Sequence, residues 1–177
     1  FVDWSPKASE RKGVLSFEQI LFCKCLETMA LCAHLLEKKA DEERYFRLFT
    51  QLRRQLLPTF WDEKRHALVH SVVDGKRSRR ITRHSNLFAI FFDYLTESQK
   101  QEVAKSVIYS QSVKPFTTPF MQFYELVAMS LLGNLTSVLE RIKELYNSSI
   151  HSQSMSSYPY GMSLSHTWFV SPVYLLT

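Results

Sequence analysis

The chain has few of the residues that build turns, with only 4 Gly and 6 Pro among its 177 residues. An all-β sandwich or barrel needs frequent turns, so this scarcity argues against that class and favours helices. Hydrophobic residues make up 45% of the sequence. A chain of this length and composition is sufficient for one domain with a substantial core.

Cysteine is also sparse, and Cys23, Cys25 and Cys32 all fall in one apolar helical stretch. The number is odd, and residues so close together on one helix do not make a disulfide framework. Cys23 and Cys25 point to different sides of a helix, which argues against a shared metal ion. We predict three buried free thiols.

Long apolar runs are absent as well, since no stretch reaches the roughly 20 residues of a membrane-spanning helix. The first residues lack the basic segment that opens a signal peptide. We therefore expect no membrane span and no signal peptide, and the start at Phe1 leads us to expect that a segment precedes it.

Six segments carry the apolar periodicity of helices, and the sequence predicts helices over residues 16–39, 43–57, 84–95, 97–109, 117–132 and 134–146. Ser16-Phe17-Glu18-Gln19 is a capping-box pattern, and Asp41 and Thr96 suit N-cap positions. Pro119 suits the first position of the fifth helix. Short links between these segments favour consecutive antiparallel pairs, that is, helical hairpins.

The ends of the helices carry stop signals too. Pro58 is predicted to end the second helix, and Gly133 the fifth. Asn134 or Thr136 then opens the sixth. Residues 147–157 contain six Ser and predict a flexible polar link, after which a last helix is expected over residues 166–176.

Helical periodicity is lost over residues 59–83, where Asp74-Gly75 is a turn signal, and a short β-hairpin is the prediction. The end of this segment holds a cluster of five positive charges, on Lys76, Arg77, Arg79, Arg80 and Arg83, in a chain of net charge +5. We interpret this cluster as a solvated loop, because no aromatic residue interrupts it for base stacking. Nucleic-acid binding is the alternative.

Two pairs of residues in the same region have the composition of a functional site, one of a metal site and the other of a pair of carboxylates. His66 and His70 have the spacing of a helical zinc site, but their segment is predicted to be extended and no third ligand is near. Asp62 and Glu63 are adjacent carboxylates whose side chains diverge in a helix or a strand. We expect no metal site, and we expect Asp62 and Glu63 to be turn residues.

Several strings together resemble the catalytic domain of the α-L-rhamnosidases, glycoside hydrolase family 78. They are Phe1-Val2-Asp3-Trp4, Gly13-Val14-Leu15-Ser16, Arg83-His84-Ser85-Asn86-Leu87-Phe88-Ala89, Thr117-Thr118-Pro119-Phe120-Met121-Gln122-Phe123-Tyr124-Glu125 and Ser163-Leu164-Ser165-His166-Thr167-Trp168. Their order and approximate spacing fit along nearly the whole chain, and the last two strings are the most specific.

The resemblance implies a mainly α fold, in which helical hairpins form part of an (α/α)6 barrel with a short β-hairpin insertion. It implies that residues 1–177 are a partial catalytic domain that lacks its N-terminal portion. It also implies inverting hydrolysis by two carboxyl groups, one acting as acid and one as base. The family's acid lies before the Asp-Trp string, and its base is a Glu beside a Trp shortly before the His-Trp string. No Trp-Glu pair occurs there, and residues 147–177 contain no carboxylate side chain.

We therefore predict no catalytic residue in this chain and expect the isolated chain to be inactive. The resemblance implies substrate-binding roles for Trp4, Asp3 and His166. Read from the residues alone, Trp4 is equally a core residue, Asp3 caps the turn at Ser5-Pro6, and His166 is structural. Trp168 is interpreted as a core residue, and Glu125 as an ion-pair anchor rather than an acid.

The resemblance implies a rhamnose-containing carbohydrate as the partner and no cofactor. From the residues themselves we expect no nucleic-acid partner and no membrane partner. The resemblance also implies a periplasmic or cytoplasmic location in a bacterium. An incomplete barrel would leave apolar helix faces open, so self-association is also expected. The alternative function is a noncatalytic helical module that binds carbohydrate or protein.

Overall fold

The computed structural model describes residues 12–116 and 119–151 and, alone near the end of the chain, Leu175. The described residues form six α-helices, a π-helical stretch and five short β-strands, and the mainly α fold class with a β-hairpin insertion is confirmed. Contacts divide the chain into two compact units, residues 1–115 (unit 1) and residues 116–177 (unit 2). The described parts of unit 2 are two helices.

In unit 1, strand β1 leads directly into two long helices that form a hairpin. They are followed by four further strands, two shorter helices and the π-helical stretch. The elements are β1 Val14–Leu15, α1 Ser16–Leu35, α2 Lys39–Phe60, β2 Trp61–Asp62, β3 Ala67–Leu68, β4 Ser71–Val73, β5 Lys76–Arg77, α3 Arg83–Phe91, α4 Glu97–Val103 and the π-helical Ala104–Ile108.

Helix α1 lies at the centre of unit 1 because one of its faces is buried at helical spacing against α2 and α3. The Phe17 ring packs edge-on against the His84 ring, with centroids 5.4 Å apart, and lies 5.2 Å from the Phe88 ring. The buried residues of α1 are Ser16, Phe17, Ile20, Cys23, Leu26, Ala30 and Ala33.

The other face of α1 is also apolar, and it is open to solvent in unit 1. Four residues of α1 and its C-cap residue, spaced by three and four positions, form this outer stripe of α1: Phe22, Cys25, Met29, Cys32 and Leu36. Phe22 is 55% exposed and Leu36 66% exposed. An exposed apolar stripe of this kind favours burial against another surface.

The prediction of three buried thiols is therefore wrong for two of them. All three cysteines are free, but only Cys23 is buried, whereas Cys25 and Cys32 lie on the exposed outer stripe. The apolar neighbours suggested burial because sequence periodicity alone does not show that this side of α1 is exposed.

Two helix ends differ from the predictions because residues other than glycine adopt the left-handed conformation there. Helix α1 ends at Leu35, where Glu37 has φ 56° and the Lys38 N–H donates to the Ala33 carbonyl. Helix α3 ends at Phe91, and Asp93 has φ 60°. Both ends form the C-terminal turn that usually requires Gly, so no stop signal is visible in the sequence at either end.

The limits of α2 are also wider than predicted. Asp41 is not its N-cap, because the helix begins at Lys39 and places Asp41 in its first turn. Pro58 does not end it either, since the helix continues to Phe60 and the Trp61 N–H donates to the Leu57 carbonyl. A proline this close to a C-terminus removes only one intrahelical bond, which the last turn tolerates.

The hairpin prediction is confirmed, and it covers two hairpins rather than one. Strands β2 and β3 pair antiparallel, and β4 pairs with β5 on one side and with β1 on the other. Asp74 and Gly75 have φ values of 48° and 73°, as a two-residue turn with two left-handed positions requires.

Gly13 allows β1 to approach β4. Its φ is 79°, and a Cβ atom at this position would collide with the Val72 carbonyl oxygen and the Val73 side chain. Only glycine fits both conditions.

The cap of α4 is confirmed. The Thr96 hydroxyl accepts from the Gln99 N–H, and the Gln99 side chain accepts from the Thr96 N–H, which completes a capping box. The helix then widens into the π-helical Ala104–Ile108, which remains within the predicted span.

Unit 2 contains α5 Pro119–Leu131 and α6 Leu135–His151 among its described residues. Pro119 begins α5 as predicted. Gly133, with φ 77°, separates the helices, and the Asn134 carboxamide accepts from the Ser137 N–H as the cap of α6. Helix α6 extends to His151 instead of Tyr146, so residues 147–151 of the predicted flexible link are helical.

In the part of the chain that the structure describes, no helix combines the length and apolar character needed to cross a bilayer. The predicted last helix over residues 166–176 lies outside the described residues, with Leu175 as the sole exception.

Candidate functional site

The three predicted substrate-binding residues, Trp4, Asp3 and His166, lie outside the described residues, as does Trp168. Their placement therefore stays a prediction. The described residues instead show what the other family-like strings do, and most of those residues build the framework of unit 1.

Asn86 is the most heavily used side chain of the Arg83-His84-Ser85-Asn86 string. Its carbonyl oxygen accepts from the Leu68 N–H at 2.7 Å, and its NH₂ group donates to the carbonyls of Leu68 at 3.0 Å and Thr82 at 2.9 Å. Asn86 is fully buried, so it replaces water for three backbone groups. It fixes β3 against the start of α3.

Ser16 and Ser85 form a second buried link beside Asn86. Their hydroxyl oxygens are 2.5 Å apart, and the Ser16 hydroxyl also lies 2.6 Å from the Val69 carbonyl and 3.0 Å from the His70 carbonyl. The capping-box prediction for Ser16 is wrong, because Leu15 is the N-cap and the Ser16 side chain makes no cap bond. Its hydroxyl joins α1, α3 and the segment before β4.

Arg83 corrects the interpretation of the basic cluster as wholly solvated. It is 8% exposed, and its guanidinium donates to the Ser110 carbonyl at 3.0 Å and the Val113 carbonyl at 3.3 Å. Buried arginine is typically paired in this way. The residue holds the segment that follows the π-helical stretch, whereas Lys76, Arg77, Arg79 and Arg80 are exposed as predicted.

The two histidines of the apparent zinc spacing are not brought together as ligands. His66 has φ 50°, and its Nδ1 lies 3.3 Å from Glu102 Oε2 on α4. His70 is buried, with Nδ1 3.5 Å from the Thr82 hydroxyl. Over residues 12–116 and 119–151, no group of three His, Cys, Asp or Glu side chains has the arrangement of a metal site.

Two described carboxyl groups have shifted pKa values, and both shifts are downward. The Arg65 guanidinium hydrogen-bonds Asp62 and lowers its pKa, helped by the Arg65 and Lys64 N–H groups. Asp62 is the last residue of β2 rather than a turn residue, and its carboxylate organises the turn in which Glu63 lies, as predicted for Glu63. Lys100 lowers the pKa of Asp93 in the same way. A glycosidase general acid needs the opposite shift, because it must hold its proton near neutral pH.

Glu125 forms the predicted ion pair within unit 2. The carboxylate is 1% exposed, and its Oε2 lies 3.4 Å from both Nε and one NH₂ nitrogen of Arg141 on α6. Arg141 also contacts Glu144 at 3.1 Å. The pair connects α5 to α6.

A small apolar cavity in unit 1 does not match the size of a sugar site. Its volume is about 10 Å³, which holds one water molecule at most, whereas ligand pockets measure about 300 Å³ or more. Tyr94 lies at its edge, and burial raises the pKa of both the Tyr94 hydroxyl and the neighbouring Cys23 thiol. The cavity is lined by Ile20, Leu56, Leu57, Phe60, Leu68, Ala89, Tyr94 and Leu95.

The buried hydrogen bonds of Ser16, Ser85 and Asn86 were not predicted from the sequence. The available signal was the presence of small polar residues at positions that the apolar period assigns to the buried side of α1 and α3. The sequence pattern did not reveal their distant partners, which are the Val69 and His70 carbonyls for Ser16 and the Leu68 N–H and carbonyl for Asn86.

Comparison with known proteins gives one family. The family model of the bacterial alpha-L-rhamnosidase 6 hairpin glycosidase domain matches residues 1–114. No curated protein matches the chain. The family match stops just before the boundary of unit 1, so the strings at residues 117–125 and 163–168 lie beyond it, and the resemblance over nearly the whole chain is shown only for residues 1–114.

Proposed function

The chain belongs to the bacterial α-L-rhamnosidase six-hairpin glycosidase family, and from this premise we propose that it is part of an inverting α-L-rhamnosidase. The reaction is hydrolysis of terminal α-L-rhamnose from glycans or glycosides, and it requires no cofactor. The family match over residues 1–114 carries the proposal, and the helical hairpins of the described residues support it. The coarser assignment to the glycosidases follows from family membership.

The proposed reaction needs two carboxyl groups about 6.5–9.5 Å apart, one protonated to release the leaving group and one ionised to activate water. Asp62 and Asp93 do not suit the acid role, because their cationic partners lower their pKa values. Glu125 does not suit the base role, because its carboxylate is buried against Arg141. The 177 residues alone are therefore proposed to bind sugar without hydrolysing it.

We assign binding of the sugar to Trp4, His166 and Asp3. An indole face packs against the C–H side of a sugar ring, while an imidazole and a carboxylate bond its hydroxyls. In the framework described above, Asn86, Ser16 and Arg83 act as positioning residues of the domain rather than as groups that touch the sugar.

The test uses the full chain with p-nitrophenyl α-L-rhamnoside for hydrolysis and with L-rhamnose for binding by ligand-observed NMR. We expect binding without release of nitrophenol. Trp4→Ala and His166→Ala should each weaken binding about tenfold. His34→Ala, on an exposed histidine of α1, is the control and should leave binding unchanged.

Robust hydrolysis by the purified chain would overturn the proposed inactivity, and absence of rhamnose binding would overturn the sugar site. Saturable binding of rhamnose without hydrolysis of the nitrophenyl substrate is also what the second candidate predicts. That candidate is a noncatalytic carbohydrate-binding module. The observation behind that candidate is the absence of carboxylate side chains from residues 147–177.

We also propose that residues 1–177 form one part of the six-hairpin domain and that two copies associate through the outer stripe of α1. The stripe supports this because Phe22, Met29 and Leu36 are each more than 40% exposed and follow a spacing of three and four that suits packing of two helices. Apolar surface of this kind favours burial.

Sedimentation velocity tests the association. Met29→Glu places a charge on the outer stripe and should shift the chain toward the monomer. Thr28→Glu adds the same charge at the adjacent exposed position, outside the stripe, and should change the distribution little. A wild-type chain that stays monomeric at high micromolar concentration would refute the proposal.

A further inference from the structure

The positive charge of the chain is concentrated on the two hairpins of unit 1. Residues 61–80 contain six Lys and Arg and three Asp and Glu, so this short segment carries +3 of the chain's net +5. Concentrated charge of one sign raises the local concentration of oppositely charged ligands. The proposed sugar hydrolysis makes no use of this segment.

Three cations of the segment are open to an external partner. Lys64, Lys76 and Arg79 are exposed, and their side chains form no ion pair with any residue in the described ranges 12–116 and 119–151. Lys76 lies on β5, the edge strand of the three-stranded sheet. We call Lys64, Lys76 and Arg79 the basic hairpin surface.

Two further arginines fix the backbone that carries this surface. Arg65 bonds the Asp62 carboxylate at 2.7 Å and also donates to the Arg79 carbonyl. Arg77 donates to the Thr59 carbonyl at 2.9 Å and the Pro58 carbonyl at 2.5 Å. These contacts join the segment after β5 to the first hairpin and to the end of α2. The surface is thus presented on backbone held from two sides, which reduces the ordering cost of binding.

The aromatic residues next to the surface are not available for stacking. Phe60 is 3% exposed and Trp61 5% exposed, so neither offers a ring face to a nucleotide base. Proteins that bind single-stranded nucleic acid combine cations with exposed aromatic rings. The chemistry of the surface therefore favours a partner recognised by its anionic groups alone.

We propose that the basic hairpin surface binds an acidic polysaccharide, a polymer whose sugar rings carry carboxylates. This inference rests on the proposed function for the choice of a carbohydrate partner, and it adds a second, electrostatic contact to the same class of substrate. Lys ammonium and Arg guanidinium groups pair with carboxylates, and several weak contacts along one polymer add up through their linkage.

The test is the binding of polygalacturonate to the full chain by isothermal titration calorimetry, with uncharged galactan as the comparison polymer. We expect polygalacturonate to bind, with an affinity that falls about tenfold between 50 and 300 mM NaCl because ions screen the contacts. Galactan should not bind. Since polygalacturonate contains no rhamnose, the result is independent of the rhamnose assays of the proposed function.

A matched pair of variants isolates the surface from net charge. Lys64→Gln, Lys76→Gln and Arg79→Gln together should weaken polygalacturonate binding at least tenfold. Lys38→Gln, Lys39→Gln and Lys105→Gln remove the same charge from exposed positions elsewhere in unit 1 and should weaken it less than threefold. Circular dichroism of both variants verifies that the fold is kept.

Three results would overturn the proposal: no binding of polygalacturonate at 50 mM NaCl, equal losses in the two triple variants, or tighter binding of double-stranded DNA than of polygalacturonate under the same conditions. The last would assign the surface to nucleic acid. Loss of polygalacturonate binding with intact rhamnose binding would reject this surface and leave the sugar site standing.

Discussion

Units 1 and 2 are both built from helical hairpins, but different polar interactions stabilise them. Unit 1 contains a buried network in which Asn86 bonds backbone groups of β3, Ser16 bonds carbonyls of the segment before β4, and the Ser85 hydroxyl bonds the Ser16 hydroxyl. The described part of unit 2 has one buried ion pair, Glu125 with Arg141, between its two helices. The family match ends at residue 114, next to the boundary between the units.

The comparison suggests why the match falls on unit 1. Its hydrogen bonds specify particular side chains at particular positions, because a buried Asn that serves three backbone groups has no close substitute. Many different sequences can form an ion pair between two neighbouring helices. Unit 1 is therefore expected to depend more strongly on single side chains than unit 2, and four measurements test this.

The largest effect is expected for Asn86→Ala in unit 1. The change leaves the Leu68 N–H and the Leu68 and Thr82 carbonyls buried without this partner, at a cost of about 3 kcal/mol or more in the free energy of unfolding. Urea denaturation measures the loss. In the variant, the buried Cys23 thiol should also react faster with a disulfide reagent, while the exposed Cys25 and Cys32 react alike in both proteins.

Arg141→Leu is expected to have the next largest effect, confined to unit 2. It leaves the buried Glu125 carboxylate without this guanidinium, which costs about 2 kcal/mol because Arg141 itself is partly exposed. Hydrogen exchange should show faster exchange in α5 and α6. Equal acceleration of exchange in α1 and α3 would contradict the separation of the two units.

Each unit contains a helix whose N-terminus is capped by a side chain, so the effect of removing a cap can be compared between the two units. Thr96→Ala removes the capping box of α4 in unit 1, and Asn134→Ala removes the cap of α6 in unit 2. Each should cost about 1 kcal/mol, since a cap bond is local and does not depend on the surrounding network. A much larger loss for Thr96→Ala than for Asn134→Ala would mean that the network of unit 1 reaches α4.

The smallest effect concerns the dependence of stability on pH. Because Arg65 lowers the pKa of Asp62 in the folded chain, the stabilisation is complete above the ordinary carboxyl pKa and is lost as the pH falls through the lowered value. Asp62→Asn should remove about 0.5–1 kcal/mol at pH 6 and progressively less as the pH falls below the ordinary carboxyl pKa. Urea unfolding of both proteins across this range measures the difference, and an effect that grows toward pH 2 would disprove the assignment.

The sequence was sufficient for the helical class, for the turn at Asp74-Gly75 and for the cap at Thr96, because these depend on contacts within a few residues, and it left the cap of α6 open between Asn134 and Thr136. It was insufficient where the partner is distant. Ser16 has the local pattern of a capping box, yet its hydroxyl contacts carbonyls more than 50 positions away. The ends of α1 and α3 were missed because Glu37 and Asp93 occupy positions that usually need glycine.

The candidate site shows the same limit. The ion pair of Glu125 was predicted from its residue type and its helical setting. The burial of the Arg83 guanidinium, which donates to the Ser110 and Val113 carbonyls, was not predicted. When only neighbours in sequence are considered, a cluster of charged residues is interpreted as exposed to solvent. One member of this cluster is instead drawn inward by two backbone carbonyls that lie about 30 residues further along the chain.

Gly13 has a consequence for how sequences of this kind can diverge. Any other residue there would have to adopt a left-handed backbone and push its Cβ into Val72, which would separate β1 from β4 and move Ser16 away from the carbonyls it contacts. In a library of random substitutions, position 13 should tolerate no replacement, whereas Gly75 and Gly133, with open space around them, should accept Asn. Because no side chain fits at position 13, the sequence at this end of unit 1 is restricted to glycine.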